Sequence, residues 1–308
     1  MATPNKQDFD QLVALALAQP GRAAMKPVVE KEILHYDIFH ALDKDGLLKH
    51  LVFQGGTALR LCRGGSRFSE DLDFAGGRDF SLAQMKQIKQ CIETHIGARY
   101  GLLVEVKEPK PSAGEQVQGD VKVARWQISV QTAPQQRDLP RQKIHIEIAN
   151  IPAYTRELVP LRQNYDFLRA YGTVLVNTES LDEIMADKII AYPASIKYVR
   201  LRDIWDLAWL TQQGAKLDTA LVRLKIADYG IEGYADLLQG ALERLPGIVT
   251  GKDFKDQMLR FIDADTISRT LAQAAFLDYL ITTVGGFFAA MAADFNQQPG
   301  QDEQAFRM

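Results

Sequence analysis

Val29, Ile33, Tyr36 and His40 recur at helical spacing, with Leu34, Ile38 and Leu42 close by, and this pattern predicts a helix over Pro27–Asp45. A shorter helix is expected ahead of it, over Asp8–Ala18. HLVFQGG then reads as a short buried strand ending at a Gly-Gly turn, after which Ala58–Cys62 opens a helix. EDLDF alternates polar and apolar residues, which puts Asp71 and Asp73 on one strand face and Leu72 and Phe74 on the other. Leu82, Met85, Ile88, Ile92 and Ile96 line one side of a helix predicted over Asp79–Ile96.

Three stretches of period-two alternation follow: LLVEVKEP, KVARWQISVQT and KIHIEIAN. In the last, Ile144, Ile146 and Ile148 share one face while Lys143, His145 and Glu147 share the other. The link Lys107–Gly119, rich in Pro, Gly and Ser, reads as a mobile loop. YGTVLVNTES reads as a final strand. Beyond it the pattern is helical, with breaks expected at Pro193, Gly214, Gly230, Pro246-Gly247, Gly251 and Gly285-Gly286, and with a poorly ordered tail, NQQPGQDEQAFRM. The plan expected is α+β: a small mixed sheet flanked by helices in residues 1–179, then a helical lobe in residues 180–308.

Composition narrows the class. The chain has 308 residues, 46% hydrophobic and 24% charged, enough to bury a sizeable core. A formal net charge of −3 excludes a globally basic nucleic-acid binder but leaves room for a local basic strip. The N-terminus lacks a cationic opening followed by a long apolar run, so no secretory signal is expected and cytoplasmic residence is the default. The most apolar tract, Tyr279–Ala293, lies between Asp278 and Asp294 and contains Thr282, Thr283, Gly285 and Gly286. Buried helix, not a bilayer span, is the expectation there, and no membrane partner. Cys62 and Cys91 read as reduced core thiols.

The candidate chemistry starts at Gly55-Gly56-Thr57. Glycines at a strand-to-helix turn let backbone approach a ligand, and the first helical N–H groups attract anions; a plain turn capped by threonine is the alternative. Asp71 and Asp73, two apart on one strand face, repel each other unless water or a cation intervenes, and hard divalent cations such as magnesium use such oxygen pairs. Exposed strand charges are the alternative, as they are for Glu147 on its later strand. Taken in order, a Gly-Gly-Thr turn, a helix, a D-x-D strand and a later strand with one acid between apolar residues follow the scheme of the DNA polymerase beta-like nucleotidyltransferase superfamily.

The run VFQGGTALRLCRGGSRFSEDLDF, preceded by VVEKEILHYDIFHAL and followed by EIMADKIIAY and RLRDIWDL, resembles the AbiEii-type nucleotidyltransferase toxins of bacterial abortive-infection, phage-defence and toxin-antitoxin systems. The resemblance runs from about Val28 to Leu210. It implies a polymerase-beta-like lobe and a helical lobe that completes an active-site cleft. Gly55, Gly56 and Thr57 would hold a nucleoside triphosphate, Asp71 and Asp73 would ligate magnesium, and Glu147 would be a third carboxylate, as metal ligand or proton acceptor. Lys188 would meet triphosphate oxygens. Arg202, Asp203 and Asp206 match a further signature, RDxxDL, which implies an active-site role, with Asp206 as a catalytic residue and Arg202 at the nucleotide; a plain i,i+4 ion pair between Arg202 and Asp206 is the alternative. Arg67 and Ser69 belong to RxSxDxDF and would position phosphate or the second strand.

The same resemblance implies two Mg2+ ions, an NTP substrate, an RNA acceptor such as a tRNA 3′ end, and a cognate antitoxin. A protein or small-molecule acceptor stays open, as does a non-catalytic nucleotide-binding protein on the same scaffold. Arg60, Arg63, Arg137, Arg141 and Lys143 could guide an RNA backbone or simply face water. His145 reads as a strand-surface histidine, with a role as base the less conventional choice.

Overall fold

In the first turn of helix α2 (Lys26–Lys44), Pro27 occupies a position where its missing N–H costs nothing. Ahead of it, α1 (Phe9–Leu17) starts where the Asp8 carboxylate accepts the Gln11 N–H at 3.1 Å. The computed structural model describes residues 7–109, 115–116, 121–135 and 138–297. It has an α+β fold in two compact units, Met1–Ser180 with Arg260–Thr266, and Leu181–Leu259 with Ile267–Met308. The short returning piece belongs with the first unit through backbone bonds: the Phe68 N–H donates to the Phe261 carbonyl at 2.7 Å and the Ala264 N–H to the Gly21 carbonyl at 3.1 Å.

The first unit is built on one mixed sheet. Its strands are β1 (Val52–Gln54), β2 (Leu72–Ala75), β3 (Val104–Lys107), β4 (Glu115–Gln116), β5 (Lys122–Val130), β6 (Gln142–Ala149), β7 (Glu157–Pro160) and β8 (Leu175–Thr178). Their order is β3-β5-β6-β2-β1-β8-β7, with β4 beside β5. β2 runs parallel to β6 and β1 parallel to β8; the remaining pairs are antiparallel. β1 leads directly into helix α3 (Gly55–Ala58), which continues as a π-helical turn over Leu59–Arg63 and stops at Gly64, φ 82°. Helix α4 (Ile88–Tyr100) follows β2.

One sheet face makes the core. Ile144, Ile146 and Ile148 are fully buried, and Phe39 of α2 packs its ring 4.8 Å from Phe53 and 6.0 Å from Phe74. Each such side chain contributes about 1.5–3 kcal/mol by leaving water. The opposite face carries the acids. Cys62 and Cys91 are buried free thiols, as expected, and burial pushes both up to about 12.

The second unit draws on α5 (Leu181–Ala194), α6 (Leu201–Gln212), α7 (Thr219–Asp228), α8 (Tyr234–Thr250), α9 (Lys252–Met258) and α11 (Ala274–Gln297); the short α10 (Ala264–Arg269) before the last is divided between the two units. The breaks expected at Pro193, Pro246-Gly247 and Gly285-Gly286 do not occur: these residues lie inside α5, α8 and α11. Packing overrides propensity there. Leu238, Ala241, Leu245 and Val249 of α8 and Leu280, Val284, Phe288 and Met291 of α11 are buried where the two helices meet. Gly214 and Gly230 do end helices, both at positive φ.

Three further expectations change. The helix predicted from Asp79 begins only at Ile88, because Ser81 and Gln84 cap a separate 3-10 turn over Leu82–Met85. Strand β7 was hidden in a stretch too short and proline-rich to alternate. The apolar tract Tyr279–Ala293 is uninterrupted and only partly covered: α11 is long and apolar enough, by length and composition, to cross a membrane, and 22% of its most apolar window is buried. Most of the Lys107–Gly119 link, Arg137, and the tail beyond Gln297 lie outside the described residues.

Candidate active site

A single row of polar side chains crosses four neighbouring strands. Gln54 on β1 is the register partner of Asp73 on β2, Asp73 of Glu147 on β6, and Glu147 of Arg125 on β5. Register partners in a sheet point to the same face, so all four project opposite the isoleucine core. Asp71 lies two residues before Asp73 and on the same side. Its Oδ1 accepts the backbone N–H of His145 at 2.9 Å and lies 3.1 Å from the His145 Nδ1.

The glycine turn is shaped by these groups. Gly55 has φ 76°, and a Cβ there would lie 2.9 Å from the Asp73 Oδ2. At Gly56 a Cβ would lie 2.2 Å from an Nη of Arg67. Backbone at both positions is thus pressed against a charged side chain of the motif that follows it. The Thr57 hydroxyl donates to the Asp71 carbonyl at 2.5 Å, tying the turn to the start of β2. Arg67 is buried and donates to the Phe68 carbonyl at 2.9 Å; Ser69 is also buried.

Helix α2 holds the other side of the segment. Lys31 Nζ is 2.7 Å from a Glu70 carboxylate oxygen, and His35 Nε2 donates to the Glu70 carbonyl at 2.9 Å. Glu70 is the residue before Asp71, so this helix fixes the approach to the first acid. His35 is buried, which lowers it to about 4 against the raising effect of its bond to Glu70. The same helix buries Glu30, Glu32 and Asp37, each with partners: Gln142 and Thr132 for Glu30, Arg60 for Glu32, Tyr100 and Tyr171 for Asp37.

Electrostatics favour a charged Asp71. Burial raises its carboxyl, but the side-chain and backbone bonds from His145, with Lys31 at longer range, hold it below the ordinary value. In return the Asp71 bond raises the His145 ring above its ordinary value, against the opposing effect of burial. Glu147 Oε1 accepts the Arg125 Nε at 2.8 Å. Arg141 pairs with Glu105 at 3.2 Å.

Arg60 does not face water. It is buried, bonded to Glu32 at 2.7 and 3.1 Å, and lies 4.3 Å over the Phe68 ring. Arg63 donates to the Thr178 hydroxyl at 2.8 Å and the Glu179 carbonyl at 3.2 Å, linking the π-turn to the end of β8.

In the second unit, Lys188 of α5 is buried between two acids of α6, 2.8 Å from Asp203 and 2.6 Å from Asp206. Arg200 adds a bond to Asp203 at 2.6 Å. Burial raises Asp203, but Arg200 and Lys188 reverse this and hold it far below the ordinary carboxylate range. A second buried lysine, Lys225 of α7, sits 2.9 Å from Glu183 and from Asp187 of α5.

Asp71, Asp73 and Glu147 offer only oxygen donors on one open face, the donor chemistry of a hard divalent cation. Among the described residues no three such side chains already stand as a cluster able to hold an ion. Glu147 is turned to Arg125 and Asp71 to His145. The set fits a cation by ligand type and by its shared sheet face.

Sequence reasoning passed over Lys31, His35, Gln54 and Arg125. Alternation marks Gln54 and Arg125 as facing residues, but nothing local reveals which acid each will oppose.

A family model described as "Nucleotidyl transferase AbiEii toxin, Type IV TA system" matches residues 37–280. No curated protein matches. Among solved structures, the chain is similar to MenT4, a nucleotidyltransferase toxin from Mycobacterium tuberculosis, at 20% identity and a TM-score of 0.57, over 94% of this chain and 92% of that one. It is also similar to JHP933 from Helicobacter pylori, at 17% identity and a TM-score of 0.45, over 91% and 98% of the two chains. The likeness to MenT4 is one of fold.

Proposed function

The chain belongs to the AbiEii family of nucleotidyl transferase toxins, and from that premise we propose that it transfers a nucleoside monophosphate from an NTP to the 3′ hydroxyl of an RNA, a tRNA in the first instance. The observation that carries this reading is Asp73 in register with Glu147, with Asp71 on the same face and tied to the glycine turn through Thr57.

In the proposed reaction the acceptor hydroxyl oxygen attacks the α-phosphorus in line. The α–β phosphoanhydride bond breaks, pyrophosphate leaves, and the hydroxyl proton passes to solvent. Asp71, Asp73 and Glu147 would hold divalent cations, Mg2+ by their oxygen preference and two by the family resemblance. When bound, these supply neutralisation of charge at the triphosphate and the attacking oxygen. Glu147 exchanges its Arg125 partner for this role. Gly55, Gly56 and Thr57 seat the triphosphate beside Asp73, and Arg67 and Ser69 keep the returning strand in place.

For Lys188 and Arg202 the family resemblance implies a role at the departing phosphates. An ammonium has three donors, and Asp203 and Asp206 take two of those of Lys188. Asp206 orients Lys188. The type IV toxin-antitoxin setting of the family supports a cognate antitoxin, and an RNA substrate supports action in the cytoplasm.

The test is an acceptor comparison: each NTP, labelled at the α-phosphate, is incubated with Mg2+ and tRNA, total RNA, cell protein or small-molecule extract. Label in RNA is expected. Label confined to protein or small molecules replaces the acceptor, and label in nothing ends the proposal.

A further inference from the structure

Between α5 and α6 the chain reads SIKYVR, followed by Leu201 and Arg202 at the head of α6. Lys197, Arg200 and Arg202 fall within this run and no acid does, in a chain whose formal net charge is −3. The same loop places large apolar side chains in water: Tyr198 is 86% exposed, Ile196 61% and Val199 38%. Cations interrupt the apolar residues here, at Lys197 and Arg200, so the loop is not a contiguous greasy patch of the kind a protein partner covers.

The loop leaves from a firm base. Arg200 Nε binds Asp203, and Asp203 is itself bonded to the buried Lys188. Tyr198 therefore stands two residues from an anchored position, its ring presented to water.

An exposed aromatic ring flanked by cations suits one ligand chemistry in particular. Unpaired bases offer π-faces that stack on such rings, and the phosphates beside them meet the cations. Resting on the RNA-acceptor reading above, we propose that this loop is a contact for single-stranded RNA, with Tyr198 stacking on an unpaired base and Lys197 meeting the adjoining phosphate.

The experiment measures binding of a fluorescent single-stranded RNA with a free 3′ hydroxyl to the full chain, without NTP, across a salt series. Tyr198→Ala should weaken binding about 5- to 100-fold with the salt slope unchanged, and Tyr198→Trp should restore it. Lys197→Ala should reduce the slope of log affinity against log salt by about 0.7. Tyr154→Ala, at an exposed tyrosine of the first unit (42% exposed), should change neither. A thermal melt of each variant separates loss of contact from loss of fold.

If wild type binds RNA and Tyr198→Ala binds it equally, this inference fails while the RNA reading stands. If wild type binds NTP but no RNA, the RNA reading fails and takes this inference with it. If Tyr198→Ala spares RNA binding but abolishes capture of the cognate antitoxin, the loop is a protein interface and the inference is overturned.

Discussion

Asp73 and Glu147 are register partners on adjacent parallel strands, β2 and β6, so two acids distant in sequence stand side by side on the open face of the sheet. Without a cation such neighbours repel, by roughly 0.2–1 kcal/mol on a strand surface. Glu147→Gln should therefore leave thermal stability within about 1 kcal/mol of wild type. Nucleotidyl transfer should fall by about 100-fold or more, as when a group that stabilises transition-state charge is removed. Parallel melting and transfer assays check the split; equal losses in both would mean that Glu147 is structural.

Arg125 holds Glu147, so in the proposed site it would compete with a divalent cation for that carboxylate. An exposed ion pair of this kind is worth up to about 1 kcal/mol. Arg125→Ala should lower the half-saturating concentration of divalent cation by about 2- to 5-fold, read from transfer rates or from the cation-induced rise in melting temperature. An unchanged cation dependence would remove Glu147 from the ligand set.

Gly55 combines a left-handed backbone with a carboxylate where a side chain would sit. Gly55→Ala should cost about 1–2 kcal/mol from φ alone, with the displaced Asp73 adding loss of transfer. Urea unfolding measures the first and the labelled-NTP assay the second. A stable, fully active variant would show that this approach of backbone to Asp73 is dispensable.

His35 gives a pH-dependent test of the anchor beneath Asp71. Its folded value, about 4, lies below the unfolded value near 6.5. The neutral ring's contribution is therefore complete above pH 6.5 and declines as pH falls towards 4, by roughly 3 kcal/mol in total. His35→Gln keeps a donor for the Glu70 carbonyl but does not titrate. Unfolding free energies at pH 7 and pH 4.5 should show wild type losing more stability than the variant over this interval; parallel losses would contradict the burial argument.

Lys188 is the shared partner of two buried acids. Lys188→Met should destabilise the second unit by about 3–5 kcal/mol, because Asp203 and Asp206 are left buried with less compensating charge. Lys188→Met combined with Asp206→Asn should recover part of that loss. A single variant as stable as wild type would contradict the buried triad.

The strand faces of the candidate site were legible because alternation assigns faces locally. Asp71, Asp73 and Glu147 fall opposite their apolar neighbours in the sequence, and they do so in the structure. Register was not legible: that Glu147 opposes Asp73 depends on pairing between strands far apart in the chain. The charges of α2 were hidden for a related reason. Helical spacing says nothing of the burial of Glu32 and Asp37, which partners distant in sequence such as Arg60, Tyr100 and Tyr171 make tolerable. Pro246 and Gly285 read as breaks because propensity is local, whereas the packing of α8 on α11 is not.

In the proposed reaction Asp71 belongs to the machinery of nucleotidyl transfer, and this is tested by incubating wild type and Asp71→Ala with tRNA, Mg2+ and NTP labelled at the α-phosphate. Label at the RNA 3′ end with wild type and its loss in a still-folded Asp71→Ala is the predicted result. Undiminished labelling by Asp71→Ala would contradict the claim.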